Sequence, residues 1–519
     1  MSKSNTDHLY QIIKSLTPAE KRYFKVFVSK GRSQQDAKFI KLFNLIDKYD
    51  DYDERRIFEN EKSIKPSQIS NLKAHLYRQI LQSLANYNPD DDIEIKIREQ
   101  LIYANLLYNK SLIDQCWKVL EKTRQMAENN DKVLLLFEVL EFEKKLLTKS
   151  IRSDIMESVL RLVNETEALS KRIRNTRIFQ NLTIKLYSFY LQIGFIRNAA
   201  DFERATQFLY SSLPAFEEDK LTFNEKMFLY HAFTGYYFFI QDTERGYQYA
   251  QKWYQLFQEH PEKIIPKIEY YIKAFNNLLA AQFKLFKFNE FEEYSKKFEK
   301  IAEMPGLNLT FNIERQLFKY SSLHKINKYF MLGEFTEGTK IIPEIAGGLK
   351  KYEASMDTHT LTLFYYKFAC MYFGDEDYRQ TIFWLNKIIN AKDVNIRSDI
   401  HGFARILSLI SHWELDDTDL IEYHIRSTYR YLTKKSDFHL YQQYILKFLR
   451  KLKNILPEEL KQAFIDLKKD LLPLRNNAYE KRAFLYFDII SWLESKIENR
   501  SNQEIIREKA KRRIEEGNR

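Results

Sequence analysis

Residues 365–388 read YYKFACMYFGDEDYRQTIFWLNKI, and this stretch decides the fold class. Tyr365, Phe368, Ala369 and Tyr372 fall three and four residues apart, the spacing that puts side chains on one face of a helix with 3.6 residues per turn. Gly374-Asp375-Glu376-Asp377 breaks that helix. A second amphipathic helix follows, with Tyr378, Thr381, Leu385 and Ile388 on its inner face. The unit is therefore a helical hairpin.

The pattern recurs along the chain. Tyr230, Phe233, Thr234, Tyr237, Gly246, Ala250 and Trp253 repeat it, followed by Pro261. Leu278, Ala281, Leu285, Phe291, Tyr294, Phe298 and Ile301 repeat it again before Pro305. Tyr329, Phe335, Gly338, Ile342 and Ile345 form a further copy, and Tyr103-Ala104, Leu107, Ile113, Cys116 and Leu120 an early one. Anchoring each copy on the small-residue place of its second helix gives Cys116, Gly246, Tyr294, Gly338 and Thr381, the last four separated by 48, 44 and 43 residues. The gap from Cys116 to Gly246 leaves room for two weaker copies, near residue 160 and near Ala205.

This pattern resembles the tetratricopeptide repeat. In that family a large aromatic is followed by a large–small pair, a Tyr, a tight turn, then an aromatic, a small, a large and a small residue. Tyr365, Phe368-Ala369, Tyr372, Tyr378 and Leu385 fit; Thr381 stands where Ala is usual, and Ile388 and Tyr294 are large at small-residue places. The period exceeds the family's usual length of about 34 residues, so the helices are longer. The resemblance covers residues 95–435 and implies an all-α fold: a helical-hairpin repeat array, an α-solenoid, with an N-terminal helical cap. It also implies that first helices line a concave groove. In the best copy those positions are Leu363, Tyr366, Cys370 and Phe373, which are apolar and point to an apolar or helical ligand, or else pack against a neighbouring repeat.

Composition agrees with long helices. The 519 residues hold only 12 Gly and 10 Pro, too few for many tight turns, while 34 Tyr and 39 Phe supply wedges between helices. The net charge of +11 is mild for this length. Cys116 and Cys370 both fall in expected helices and read as buried small residues, not a disulfide framework. The start, MSKSNTDHLYQIIK, lacks the apolar run of a signal peptide, and no apolar stretch reaches the roughly 20 residues of a spanning helix, so the expected location is the cytoplasm and no membrane contact is expected.

Three regions are expected: a cap over 1–90, the array over 91–495, and a polar tail over 496–519 that ends in KAKRRIEEGNR and reads as a frayed helix or disorder. Thr17-Pro18-Ala19-Glu20 is a helix start with reciprocal capping, and Gly31 a helix end. Asn88-Pro89-Asp90-Asp91-Asp92 marks the cap boundary. Helix connections are expected at Asn129-Asn130-Asp131, Ser153-Asp154, Pro214, Pro261, Pro305-Gly306 and Gly347-Gly348. A last amphipathic helix carries Phe484, Phe487, Ile490 and Leu493.

No motif for an enzyme, cofactor or metal is complete. GEFTEGTK at 333–340 has two glycines of a phosphate loop but Thr and Lys in the wrong order. His412, Glu414, Asp416, Asp417, Asp419 and His424 contain metal-ligand residue types, but carboxylates at a helix start explain most of them. Two stretches could meet phosphates. Residues 1–90 hold 16 basic and 11 acidic residues, a net +5, and 430–453 hold seven basic residues against Asp437, a net +6, with Tyr429, Tyr431 and Tyr441 for stacking. A DNA-contacting helix over 66–85 would use Lys73, His75 and Arg78. The sequence thus points to a non-enzymatic scaffold, without cofactor, that binds a protein or peptide in its groove; the alternative is a nucleic-acid-binding regulator with the N-terminal region on DNA.

Overall fold

The structure, a computed structural model, describes residues 7–29, 34–49, 52–87, 93–149, 155–391, 397–434, 438–452 and 455–517. Among them every regular element is a helix and none is a strand. Gly31, the expected boundary at 88–92 and Ser153-Asp154 lie outside the described residues. Backbone packing divides the chain into two units, Met1–Ile173 and Arg174–Arg519.

The first unit contains α1 (His8–Ser15), α2 (Pro18–Ser29), α3 (Gln34–Lys48), α4 (Glu54–Asn60), α5 (Ile69–Tyr87), α6 (Ile93–Asn109), α7 (Ile113–Asn129), α8 (Val133–Leu147) and the start of α9 (Ile155–Ile193). Helices α1 to α5 enclose one core around Phe24, Leu42, Phe43, Leu76 and Ile80. Helices α6 to α8 enclose another around Ile97, Cys116, Leu120 and Val139. At the start of α2 the backbone N–H of Thr17 donates to Glu20 Oε2 (2.7 Å) and that of Glu20 to Thr17 Oγ1 (3.3 Å), the reciprocal cap read from the sequence.

The second unit continues with α10 (Ala199–Tyr210), α11 (Phe223–Phe239), α12 (Thr243–Glu259), α13 (Ile268–Lys284), α14 (Phe288–Glu299), α15 (Phe311–Leu332), α16 (Phe335–Tyr352), α17 (Thr358–Gly374), α18 (Tyr378–Ile389), α19 (Ser398–Glu414), α20 (Thr418–Lys434), α21 (Leu440–Leu452), α22 (Leu460–Leu471), α23 (Ile489–Glu498) and α24 (Asn502–Gly517). From α11 onward consecutive helices pair, and the alternate helices α13, α15, α17 and α19 also pack on one another in that order.

One turn recurs. Ser111, Asp131, Gln241, Phe286, Gly333, Glu376, Asp416 and Asn499 each take a left-handed backbone, φ 53–67°, between two helices. In every case the next residue's N–H reaches the carbonyl five positions back, at 2.8–3.1 Å. This closure satisfies a carbonyl that a helix end would otherwise leave open. Asp242 and Asp377 then cap the second helix, accepting from Arg245 N and Gln380 N at 3.1 and 3.0 Å.

Five residues past the left-handed position, the second helix meets the first. Thr381 Oγ1 donates to Ala369 O (3.4 Å), and Cys116 Sγ to Ala104 O (3.2 Å), in each case twelve residues back. At Gly338 a Cβ would collide with Met371 and crowd Tyr329. The same register puts Phe291, fully buried, and not Tyr294, at the third anchor. Ala369 is fully buried at this crossing, so Ala369→Leu is expected to overpack it and cost about 1–3 kcal/mol, read as a lower melting temperature.

Four further expectations change. Residues 155–193 form the single helix α9, with no hairpin near 160, and no residue in it takes the left-handed backbone that the hairpin turns use. Gly347 and Gly348 are not a connection; they lie inside α16, where a Cβ on Gly348 would strike the Phe318 ring. The final amphipathic helix starts only at Ile489, behind the N-cap Asp488, and leaves Phe484 and Phe487 outside it. The polar tail is the ordered helix α24, with Ile505 and Ala510 4% exposed. Its Asn502 N–H donates to Glu376 at the turn after α17 (2.9 Å), and at Gly333 a Cβ would lie 2.7 Å from Arg507 N.

Candidate ligand-binding face

The four groove positions lie along α17, and the chain covers them itself. Leu363 is half-buried in the core, while Tyr366 and Phe373 are 4% and 1% exposed. The Tyr366 ring meets Tyr486 edge-on at 6.4 Å, and Phe373 meets Phe487 at 4.9 Å. Cys370 Sγ sits 3.8 Å from the Tyr486 carbonyl oxygen, and burial pushes its thiol up to about 12, which rules against a nucleophile at neutral pH. Glu480, just ahead of this segment, accepts from the N–H groups of Leu440 and Tyr441 (3.0 and 3.2 Å) and so fixes it to the start of α21. Aromatic clustering in AYEKRAFLYF was the only sequence signal, and it did not show which helix the segment covers.

A buried ionic knot holds the same segment. Arg397 and Asp399 are 2% and 0% exposed. Arg397 Nε donates to Asp399 Oδ1 at 2.9 Å and Nη2 to Oδ2 at 2.8 Å, a two-point grip. Its Nη1 donates to the Tyr190 hydroxyl (2.7 Å) and its backbone N–H to Leu191 O (2.9 Å). Tyr486 donates its hydroxyl to Asp399, and Gly194, at φ +75°, leaves the room this carboxylate fills. Arg397 itself has φ 55°.

Lysines on the helices around α17 are the feature that sequence reasoning missed. Lys367 Nζ donates to Asn327 Oδ1 (2.6 Å) and lies 5.2 Å from the rings of Phe283 and Phe330. Lys284 Nζ lies 4.3 Å from the Phe238 ring and 5.2 Å from that of Phe195. Burial lowers both amines to about 8, for Lys284 with the added charge of Arg397. His324, whose Nε2 is 3.0 Å from Asn276 Oδ1, is held down near 3 by burial and by Lys367, so it is neutral at physiological pH. Nearby, α13, α15 and the start of α17 enclose an open cavity of about 270 Å³ lined by Lys273, Arg315 and Lys319.

The other candidates separate. Lys73 is bonded to Asp7, Glu54 (3.0 Å) and Tyr52, and His75 stacks on Phe39 at 4.4 Å, so these two expected DNA contacts face protein. Lys21 pairs with Asp47 at 2.6 Å. Tyr441 is fully buried, and Tyr429 packs edge-on against Phe438 at 5.0 Å. His412 Nδ1 contacts Asp417 (2.9 Å) and its ring stacks on His424, but Glu414 is engaged by Trp492 and Lys496. Among the described residues no group of three His, Cys, Asp or Glu side chains is placed to hold a metal ion, and no helix is long and apolar enough to cross a membrane. GEFTEGTK forms the left-handed turn at Gly333 and the start of α16.

No family model matches the chain, and no curated protein matches it in sequence.

Proposed function

We propose that the chain is a non-enzymatic helical-repeat scaffold, a tetratricopeptide-like array that binds a protein or peptide partner. One observation carries the reading: among the described residues the same left-handed turn joins helix pairs at eight places, and the alternate helices α13, α15, α17 and α19 stack in order. Stacked hairpins of this kind leave an extended row of first-helix side chains as a binding surface. The warrant for the binding role is analogy of fold. The partner meets the polar and cationic side chains of α13 and α15 instead of Leu363, half-buried in the core, and of Tyr366, Cys370 and Phe373, which the chain's own Tyr486 and Phe487 pack against. The reading includes a cytoplasmic location, where the thiols of Cys116 and Cys370 stay reduced.

The test is capture of a polypeptide partner by the full chain, then reconstitution of the complex from purified components at a fixed stoichiometry. Lys273→Glu/Lys319→Glu should abolish the complex. Nucleic acid gives the opposing outcome. Fluorescence anisotropy near physiological salt should show only weak DNA or RNA binding that disappears with added salt, whatever the sequence. Submicromolar, sequence-dependent binding lost in Lys21→Glu/Lys25→Glu or Lys447→Glu/Lys451→Glu would overturn the scaffold reading.

A further inference from the structure

We propose that the cavity between α13, α15 and the start of α17 is an oxyanion site, which takes a phosphate or carboxylate group between Lys273, Arg315 and Lys319. The proposal deepens the scaffold reading by giving the chemistry of what docks on this face, and it holds equally for a free anion.

The three cations face one cavity, and none of them has an ion-paired carboxylate among the described residues. Lys319 Nζ donates to the Thr360 hydroxyl (2.7 Å). Arg315 donates to Asn312 Oδ1 (2.5 Å) and to the Ser355 carbonyl. These partners are neutral, and they leave N–H groups of both side chains unused. The Lys273 carbonyl accepts from Asn277 Nδ2 (2.8 Å), but its amine makes no hydrogen bond or ion pair among the described residues and lies 5.4 Å from the Tyr270 ring.

Two carboxylates also line the cavity, and both are occupied. Glu269 accepts from Asn312 Nδ2 (2.6 Å). Asp357 caps α17, accepting from the Thr360 N–H (2.7 Å) and hydroxyl (2.8 Å). Unused N–H groups of the three cations therefore meet the cavity, beside Gln316, whose buried Oε1 has no hydrogen-bond partner among the described residues. The surplus of charged donors favours an acceptor with negative charge.

Crowding of the cations gives a reason for an anion to bind. Burial holds the Lys319 amine below its ordinary value, and the charges of Arg315 and Lys273 add to this against the opposing pull of Asp357. An anion placed between them removes that repulsion. Size sets the class: about 270 Å³ is below the usual range for drug-sized ligands and suits one oxyanion on a short stem. Three cations against the two lining carboxylates leave a net charge of +1, which favours an anion, and a phosphate offers more acceptor oxygens to the three cations than a single carboxylate does.

The experiment is calorimetric titration of the full-length chain with inorganic phosphate, with a phosphoserine peptide, and with the same peptide carrying glutamate. Saturable one-to-one binding of phosphate is expected. Lys273→Gln and Arg315→Gln should each weaken it about tenfold to a hundredfold, the range for losing a charged hydrogen bond. Lys340→Gln, which removes the same charge from an exposed site on α16, should leave it unchanged. A phosphopeptide that binds more tightly than phosphate identifies a partner side chain as the source; equal affinity identifies a free anion. A second measurement needs no variant: phosphate should slow acetylation of Lys273 and Lys319 in the wild type, read by mass spectrometry, and not that of Lys340. No saturable binding of any of the three probes, or equal protection at all three lysines, would overturn the site. That failure leaves the scaffold reading intact, because the latter is judged by the polypeptide complex.

Discussion

Asp399→Asn is expected to destabilise the region around α19 by about 3–5 kcal/mol, the cost of leaving a buried guanidinium without its counter-charge. Asn keeps the shape of the side chain, which matters because Gly194 leaves no room for a larger group. What it removes is charge from a pair that is 2% and 0% exposed. Arg397 cannot shed its proton instead, because a guanidinium stays protonated at any working pH. Hydrogen exchange at α19 amides should therefore accelerate by about a hundredfold or more. A second readout follows from Tyr486, whose hydroxyl donates to Asp399. Loosening Tyr486 uncovers Cys370, so a thiol reagent that spares the wild-type residue should label it. Arg397→Met/Asp399→Asn, which removes both charges, should recover most of the loss. Unchanged exchange and unchanged Cys370 labelling in the single variant would show that the pair holds nothing.

The helical class was legible at 365–388 because apolar spacing and an acidic, glycine-led break occur together there, and the break falls where Glu376 turns left-handed. Other turns of the same geometry had weaker signatures. Ser111, Gln241 and Phe286 adopt the backbone that glycine favours, so the usual marker is missing. The glycines that are present misled in the opposite direction: Gly347-Gly348 reads as a break, yet Gly348 serves to admit the Phe318 ring against a continuous helix. Phe291 and Tyr294 show the limit of periodicity, since two aromatics three apart share one helical face and spacing alone cannot decide which is the anchor.

The binding face was less legible than the fold, for a physical reason. A helical pattern tells which side of α17 is apolar but not what covers it, and the cover, Tyr486, is 116 residues away from Cys370. The recessed lysines were illegible for the same reason. Lys284 and Lys367 look like ordinary solvated lysines in the sequence; they are recessed because Phe195, Phe238, Phe283 and Phe330 come from other elements to enclose them.

Lys284→Met is expected to make the protein more stable at neutral pH, by about 1–3 kcal/mol. Burial lowers this amine from 10.5 to about 8, so at pH 7 it is charged in the folded and the unfolded chain, and the folded state carries the desolvation cost. The cost is on the order of 3 kcal/mol for such a depression, before solvent screening of a half-buried group reduces it. Raising the pH through about 8 removes the proton from the folded state first. The unfolded chain then binds more protons, so stability rises with pH until the unfolded amine also titrates near its ordinary value. Above pH 10 the sign reverses for buried tyrosines such as Tyr190, raised by burial, because the unfolded chain then ionises first. The informative window is pH 7 to 9.5, and the quantity to measure is the difference in urea midpoint between wild type and Lys284→Met. That difference should shrink steadily across the window as the wild-type amine becomes neutral. Lys367→Met supplies the contrast: it removes a similarly lowered amine but leaves Asn327 Oδ1 without its 2.6 Å donor, so its gain should be smaller or absent. A stability difference for Lys284→Met that stays constant with pH would mean that the amine is solvated and that the aromatic enclosure does not hold in solution.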